Sequence, residues 1–377
     1  MSLQDPNILG IESSCDETAA AVVAGGKRVL SSVVASQVDI HRKYGGVVPE
    51  LASREHLRQI VPVVREAIAQ SGIELKDVDA VAVTQGPGLV GALLVGMTYG
   101  KALAMSLGKP LIGVNHLAGH VHAVFLESHM TGGKIPELPA VCLIVSGGHT
   151  MLYRVSPSAP AGTLSFNYER LGGTRDDAAG EAYDKVARML ALGYPGGPIV
   201  DQLAAHGDPG AIRFGTPKMT GNPHDFSFSG IKTAVLYHLQ KHTELRPEIE
   251  NRKGALARGE RSAAALKALC TQTTLDLIAS FQHAVVEDLV TRTIKAAEES
   301  SVKSILVTGG VAANRELRAR FEAEAKRVGL EAYFPSRALS TDNAAMIAAA
   351  GYPNYANGLY DSSTLNADPN LPLAIPA

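Results

Sequence analysis

The chain of 377 residues has few cysteines and no long apolar run. Its three cysteines, Cys15, Cys142 and Cys270, are far apart and form no CxxC pair, which argues against a disulfide framework or a thiolate zinc site and fits a reducing compartment. The apolar stretches, such as residues 88–95, are short and interrupted by glycine, so we expect no membrane span. Residues 1–7 contain no basic side chain and no apolar run, so we expect no targeting signal and a cytoplasmic protein.

The chain also lacks an excess of either charge. Lysine and arginine number 35 against 37 aspartates and glutamates, a formal net charge of −2. No global positive field therefore attracts nucleic acid, and an RNA substrate would need a local basic patch or partner subunits. A hydrophobic content of 46% is ordinary for a globular protein, and the length suggests two domains or two fused lobes.

The two halves of the chain repeat one order of elements. Each half has a strand–turn–strand hairpin and, downstream, a strand, a glycine turn and a helix. The hairpins are predicted at 8–23 and 140–155, and the strand–helix units at 78–107 and 304–328. This order indicates an internal duplication of an α/β unit, although two unrelated α/β segments would give the same pattern.

Further helices and three irregular segments complete the prediction. Amphipathic helices are predicted at 53–71, 116–127, 180–192 and 274–299. Residues 156–165 and 241–260 are interpreted as insertions, the second as a mobile loop or frayed helical hairpin that is either solvated or in contact with RNA. The tail from Tyr360 is expected to pack loosely or not at all.

Two histidines mark a candidate metal site. His116 and His120 are four residues apart, so their side chains lie on one helix face, as two ligands of one ion would. They are equally open to interpretation as core histidines. A zinc peptidase of the helical two-histidine type needs a glutamate after the first histidine, and here that residue is Leu117. His122 lies on another face and is not expected to be a ligand.

A carboxylate near a later helix start offers a third ligand. Asp342 precedes the helical run 344–350, where it is either an N-cap or a metal ligand. Two histidines and one carboxylate leave open positions for substrate oxygens and suit Fe(II) or Zn(II).

Glycine turns and nearby carboxylates indicate a nucleotide site. The turn at 146–150 lets backbone N–H groups approach an anion, and Gly309-Gly310 lies between a strand and a helix N-terminus. Neither turn matches the Walker P-loop or the Rossmann fingerprint. Near the turn at Gly197, Asp184 and Asp201 are candidates to face ribose hydroxyls, the alternative being that such carboxylates serve a helix dipole.

These motifs resemble the TsaD family, and the similarity runs from about residue 8 to about residue 351. The matching segments are 10–18 (GIESSCDET), 115–120 (NHLAGH), 146–150 (SGGHT), 177–185 (DAAGEAYDK), 225–233 (DFSFSGIKT), 309–314 (GGVAAN) and 341–343 (TDN). The resemblance implies a duplicated actin-like or Hsp70-like (ASKHA) α/β fold with two lobes and a central cleft. We expect an N-terminal lobe at 7–135, completed by a helix at about 342–356, a C-terminal lobe at 136–341 and a tail at 357–377.

The same resemblance implies an activity. The family transfers a threonylcarbamoyl group from threonylcarbamoyl-AMP to N6 of the tRNA adenosine 3′ of the anticodon, releasing AMP, in a metal-dependent reaction. Its metal ligands map onto His116, His120 and Asp342. Its substrate contacts map onto Ser146, Gly147, Gly148, His149, Thr150, Asp184, Gly197, Asp201 and Asn314. The partners it implies are tRNA and the proteins TsaB and TsaE, and Fe(II) is favoured over Zn(II).

The donor is already activated, so we expect no covalent nucleophile. Glu12 or Asp16 is the candidate general base for the weakly basic adenosine amine. Two alternatives remain open at this point: a small-molecule kinase of the same fold, in which the paired histidines would have no role, and a non-catalytic scaffold subunit, which would not need a complete ligand set.

Overall fold

The computed structural model describes residues 5–158, 164–215 and 219–374, which form two five-stranded sheets with helices packed around them. The strands are β1 (Asn7–Glu12), β2 (Glu17–Ala24), β3 (Arg28–Ser36), β4 (Ala80–Gly86), β5 (Leu111–Asn115), β6 (Ala140–Val145), β7 (Thr150–Pro157), β8 (Phe166–Gly173), β9 (Ser304–Thr308) and β10 (Glu331–Tyr333). The first sheet has the order β3-β2-β1-β4-β5 and the second the order β8-β7-β6-β9-β10.

The two sheets have the same topology. In each, three consecutive strands pair antiparallel as a meander, and two later strands extend the sheet in parallel. β1 and β6 are central and buried at every residue, as expected for strands covered on both faces. The duplication predicted from the sequence is therefore confirmed.

Thirteen helices are described alongside the sheets. They are α1 (Val38–His41), α2 (Pro49–Ser71), α3 (Val90–Leu107), α4 (His116–Thr131), α5 (Ala179–Met189), α6 (Gly196–Ala204), α7 (Ser229–Lys241), α8 (Arg246–Ala257), α9 (Ala263–Lys267), α10 (Gln272–Glu299), α11 (Arg315–Arg327), α12 (Arg337–Ser340) and α13 (Ala344–Ala356). The helices predicted at 53–71, 116–127, 180–192 and 274–299 correspond to α2, α4, α5 and α10.

The last helix returns to the first sheet. α13 packs on β1, β2, β4 and β5 and against α4. This packing requires a glycine in β1, because a Cβ at Gly10 would collide with the backbone oxygen of Ala344. The segment just before α13, which contains Asp342, is thereby fixed beside the edge where α4 begins.

The described part of the tail, residues 360–374, does not pack loosely, contrary to the expectation from the sequence. Asp361 forms a bridge with Leu111 in β5, and Leu365 and Ala367 pack against the core of the first sheet. The contacts involve backbone groups and a few isolated apolar side chains, so no periodic pattern in the sequence indicates them.

The segment 241–260 is not a mobile loop either. Most of it is the regular helix α8, anchored by the fully buried Arg252, which donates to the carbonyl oxygens of Leu190 (2.8 Å) and Leu269 (2.9 Å). Arg252 is therefore unavailable to RNA. Of the other predicted insertion, 156–165, residues 159–163 lie outside the described part of the chain.

Within the described ranges, one helix is long and apolar enough to cross a membrane by length and composition. α3 has a mean hydropathy of 1.4 and one third of it is buried. It packs against β4 and α2. Helices that pack on a sheet meet the same criterion, so α3 alone does not indicate a membrane protein.

Candidate metal and nucleotide site

The two histidines of the predicted site lie on the first turns of α4. The helix starts directly after β5, and Asn115 caps it by accepting from the backbone N–H groups of Leu117 (2.9 Å) and Ala118 (3.4 Å). The rings of His116 and His120 are buried, with their centroids 4.8 Å apart. The spacing of four residues thus brings both rings to one point, as predicted.

Asp342 meets them from the other end of the chain. Its Oδ1 lies 3.5 Å from His116 Nε2 and 3.3 Å from His120 Nε2. The N-cap of α13 is Asn343, which accepts from Met346 N–H, so Asp342 is not the cap. The predicted triad of His116, His120 and Asp342 is confirmed as a cluster whose ligand atoms lie within 4.8 Å of one another.

The two helices approach closely at Gly119, which lies between the histidines. A Cβ there would be 3.0 Å from Ile347 Cδ1 and 3.1 Å from Met346 Cγ, tighter than ordinary contact. The glycine thus lets α13 approach α4 closely, which places Asp342, just before α13, beside the two histidines.

The chemistry of this donor set fits a divalent cation. Neither ring nitrogen of the fully buried His120 has a hydrogen-bond partner among the described residues, although its Nε2 faces the Asp342 carboxylate. Two imidazoles and one carboxylate are ligands that Fe(II) and Zn(II) accept. His122 is not part of the set: its ring packs against that of Phe166, with the centroids 4.8 Å apart, and the cluster of ligand atoms contains only His116, His120 and Asp342 among the described residues.

A buried carboxylate orients the first histidine. Glu12, at the end of β1, is fully buried and accepts from Ser14 N–H and from Thr84 Oγ1 (2.8 Å). Its Oε2 lies 2.9 Å from His116 Nδ1, which leaves Nε2 turned towards Asp342. Burial alone would lower the pKa of His116, but the charges of Glu12 and Asp342 raise it to about 9. Glu12 thus occupies the position of the carboxylate that orients a metal-bound histidine.

The glycine turn after β6 faces the same cluster. Its backbone closes on itself: Ser146 N–H donates to His149 O (2.8 Å), and His149 N–H donates to Ser146 Oγ (3.1 Å). Nothing lies within 4 Å of where a Cβ would stand at Gly147 or Gly148, so the turn borders open space. The ring of His149 lies 6.4 Å from that of His116. The turn and the triad are therefore neighbours, as expected for parts of one site.

Two threonines tie these parts to the second sheet. Thr150 is fully buried, and its Oγ1 accepts from Ala179 N–H at the start of α5 (2.9 Å). Thr308, at the end of β9, donates from Oγ1 to the backbone oxygen of His120 (3.0 Å). Thr150 therefore joins the turn to α5, and Thr308 joins β9 to α4. The sequence did not indicate Thr308, because an isolated threonine in a strand carries no signal.

Asp184 and the glycine turn at the start of α6 lie next to each other. Asp184 accepts from the backbone N–H of Gly196 (2.6 Å), and Gly197 borders open space. Burial raises the pKa of Asp184 to about 6, although backbone N–H groups of this turn oppose the rise. A carboxylate and a glycine at the start of α6 therefore lie together, as the sequence predicts.

The other two candidates have protein partners of their own. Asp201 is paired with Arg315, whose Nε lies 2.9 Å from its Oδ2. Asn314 caps α11 by accepting from Leu317 N–H (2.9 Å) and donates to Gln282 Oε1 (2.7 Å). Both lie where α6 meets α11, with these groups already engaged.

Asp16 lies in the turn between β1 and β2, in acidic surroundings. It is 8% exposed, and its backbone oxygen accepts from Gln37 N–H (3.0 Å). Burial and the charge of Asp16 raise the pKa of the adjacent Cys15 thiol and of the Glu17 carboxyl. Cys15 is therefore held as a neutral thiol, which agrees with the expectation that no cysteine nucleophile is used.

Comparison with known proteins agrees with this geometry. Residues 28–349 match the TsaD family, described as tRNA N6-adenosine threonylcarbamoyltransferase. A protein of that name from Koribacter versatilis is 55% identical over 98% of this chain and 100% of its own, and one from Symbiobacterium thermophilum is 53% identical over 99% and 98%. These names give no support to a kinase or a non-catalytic scaffold.

A solved structure shows the same fold. Full-length HypF, in its phosphate- and nucleotide-bound form, matches 96% of this chain and 48% of its own with a TM-score of 0.53 and 12% identity. With the two matching sheets, this is the duplicated actin-like (ASKHA) fold. The chain therefore belongs to the TsaD family, and it is a transferase that places a threonylcarbamoyl group on N6 of a tRNA adenosine.

Proposed function

We propose that the chain uses threonylcarbamoyl-AMP as donor, modifies the adenosine 3′ of the anticodon and releases AMP, with one divalent metal held by His116, His120 and Asp342. The observation that carries the proposal is the convergence of these three side chains, whose ligand atoms lie within 4.8 Å of one another, with His120 Nε2 facing Asp342 Oδ1 at 3.3 Å. Fe(II) is favoured and Zn(II) is the alternative, since both accept this ligand set.

The metal, when bound, supplies a Lewis acid that polarises the carbamoyl carbonyl and offsets phosphate charge. The chain's own residues position the reactants. The turn at 146–150, whose glycines border open space, presents backbone N–H groups to the phosphate. Asp184 and the Gly197 turn would hold the adenosine. Holding donor and acceptor together supplies much of the rate, because AMP is already a good leaving group.

Asp201 and Asn314 belong to this proposal in a modified form. Their existing bonds to Arg315 and Gln282 mean that a direct contact to the adenosine would replace or share those bonds. We propose that they shape the adenosine pocket where α6 meets α11.

The two candidate bases take different roles in the proposal. Glu12 has one oxygen on Ser14 N–H and the other shared by Thr84 and His116, so it is a positioning residue for His116. Asp16 remains the candidate base for the adenosine amine. Asp16 is in the β1–β2 turn, four residues after Glu12.

The partners we propose are TsaB and TsaE, the two that the family implies. An exposed apolar patch supports the first of them. α2 and α3 pack against each other, and Leu57, Val61, Val90 and Leu94 on them are 65%, 38%, 54% and 47% exposed. Each helix contributes a pair spaced by four residues, which is the pattern a partner with amphipathic helices covers.

The test is a transfer assay with purified protein, tRNA, threonylcarbamoyl-AMP and both partners, read by mass detection of AMP and of modified tRNA. His116→Ala should abolish transfer, and chelation should do the same to the wild type, with recovery on adding Fe(II) or Zn(II). His122→Phe is the matched control and should keep activity, because His122 is on the same helix and its ring packs against that of Phe166, with the centroids 4.8 Å apart. Full activity of His116→Ala after metal removal would refute the proposal.

A further inference from the structure

The chain after α13 runs back along the first sheet, and its last described residues lie beside α4. We define residues 361–373 as the C-terminal strap. It begins at the outer edge of β5, where Asp361 N–H donates to Leu111 O (2.9 Å) and Gly113 N–H donates to Asp361 Oδ2 (2.7 Å). The strap thus adds to the open edge of the first sheet.

Its middle is bonded to the last residues of β4 and to the turn that follows them. Asp368 N–H donates to Gln85 O (2.9 Å), and Gly88 N–H donates to Pro369 O (3.2 Å). The approach is close enough to require glycine at position 86, because a Cβ at Gly86 would collide with the backbone oxygen of Asp368. The chain at this turn is therefore shaped to receive the strap.

The last residues of the strap are held by Asn115. Its side-chain Nδ2 lies 3.3 Å from Leu371 O and 3.2 Å from Pro372 O, while its Oδ1 caps α4. One side chain thus joins the strap to the first turn of the helix. Beyond it, Leu373 packs against the apolar cluster that α4 forms with the second sheet.

A second route leads from the strap to the same ligand. The turn that binds Pro369 continues to Leu89, whose N–H donates to Ser14 O (2.8 Å). Ser14 Oγ lies 3.3 Å from His116 Nδ1. The strap therefore contacts the surroundings of His116 through the helix cap on one side and through the Ser14 loop on the other.

From these contacts we infer that Asn115 and the C-terminal strap are positioning elements for the metal centre, holding the first turn of α4 and with it His116. The inference rests on the proposed metal function. Asn115 directly precedes His116, so the geometry of the helix cap sets the backbone position from which the His116 side chain extends. Groups that orient metal ligands typically change metal affinity 10- to 100-fold when removed.

Asn115→Asp separates this role from helix capping. The aspartate keeps the oxygen that accepts from Leu117 and Ala118, and suits a helix N-terminus, but it loses both donors to the strap. A chain ending at Tyr360 removes the strap and keeps Asn115. Asn370→Ala is the control, since that side chain is exposed within the strap.

The measurement is the Zn(II) dissociation constant of the metal-free full-length protein and its variants, by competition with a chelator. We expect Asn115→Asp and the truncation to bind Zn(II) at least about tenfold more weakly, with far-UV circular dichroism unchanged, and Asn370→Ala to bind as the wild type does. Wild-type affinity in both variants would overturn the inference.

A second readout does not need the metal. In the metal-free proteins, amide hydrogen exchange over the first turn of α4 should be faster in the truncated chain than in the wild type, and unchanged exchange there would also overturn the inference. If the wild type itself binds neither Zn(II) nor Fe(II), the proposed metal function fails, while the exchange result still decides whether the strap holds α4.

Discussion

Replacing Asp184 by asparagine tests whether the fold holds an ionised carboxylate for a ligand at a cost to its own stability. Burial raises the pKa of Asp184 from 3.8 to about 6. A carboxyl whose pKa is higher in the folded state binds its proton more tightly there. Its contribution to stability is therefore greatest at low pH and is lost as pH rises from about 3.8 through about 6.

The interval between these two pKa values corresponds to roughly 3 kcal/mol of unfolding free energy. The asparagine side chain cannot ionise, and its oxygen can still accept from Gly196 N–H. We expect Asp184→Asn to match the wild type near pH 4 and to exceed its unfolding free energy by up to roughly 3 kcal/mol above pH 7. Urea unfolding of both proteins across this range measures the difference, in which the other titrating groups cancel.

The affinity of the wild type for AMP should change with pH in the opposite sense to the contribution of Asp184 to stability. If the carboxylate accepts from ribose hydroxyls, the wild type binds AMP more weakly as pH falls through about 6, because a neutral carboxyl is a poorer acceptor. Asp184→Asn should bind AMP weakly at pH 8. Because a phosphate monoester itself titrates at about pH 6, the sign of Asp184 ionisation is a larger loss of AMP affinity in the wild type than in Asp184→Asn as pH falls. Calorimetric titration with AMP checks this. A stability difference that does not vary with pH would refute the reasoning.

Two further predictions concern the metal centre and the partner surface. Glu12→Gln should weaken Zn(II) binding 10- to 100-fold in a chelator competition, because the amide cannot replace the charge facing His116 Nδ1. An unchanged dissociation constant would show that Glu12 does not orient the ligand. Leu94→Asp on α3 should prevent formation of a complex with TsaB, measured by size-exclusion chromatography. Met130→Asp, which changes an exposed apolar residue on α4, should still form the complex. Co-elution of both variants with TsaB would place the interface elsewhere.

Much of the fold could be predicted because its signals are local. Apolar runs separated by small polar turns give both hairpins, and an apolar strand followed by glycine and an amphipathic run gives each strand–helix unit. The histidine pair is also local, since a spacing of four fixes His116 and His120 on one face. Asp342 could not be joined to them by periodicity. Its assignment as third ligand depends on the family resemblance, and the close packing of α4 on α13 provides the physical reason.

What the sequence could not predict depends on unpatterned contacts. The strap is held largely by hydrogen bonds to backbone carbonyl oxygens. Every residue has a carbonyl, so residue types do not indicate which of them form these bonds. The buried Arg252 makes α8 part of the fold, although a charge-dense segment is typical of an exposed loop. Asn314 shows the same limit, since a candidate ligand and a helix cap have identical sequence signals and only the coordinates place its oxygen on Leu317 N–H.

The distribution of the site between the two sheets has a consequence for its chemistry. All three metal ligands lie on α4 or just before α13, two helices that pack against each other beside the first sheet. The 146–150 turn follows β6 of the second sheet, and Asp184 lies on α5, later in the same half of the chain. α4 also packs on the second sheet, where Thr308 Oγ1 donates to the backbone oxygen of His120 (3.0 Å), so the helix that carries two of the three ligands is joined to both sheets. Transfer should therefore require both sheets to be in place, because the residues that would hold the metal and the residues proposed to hold the nucleotide come from different sheets.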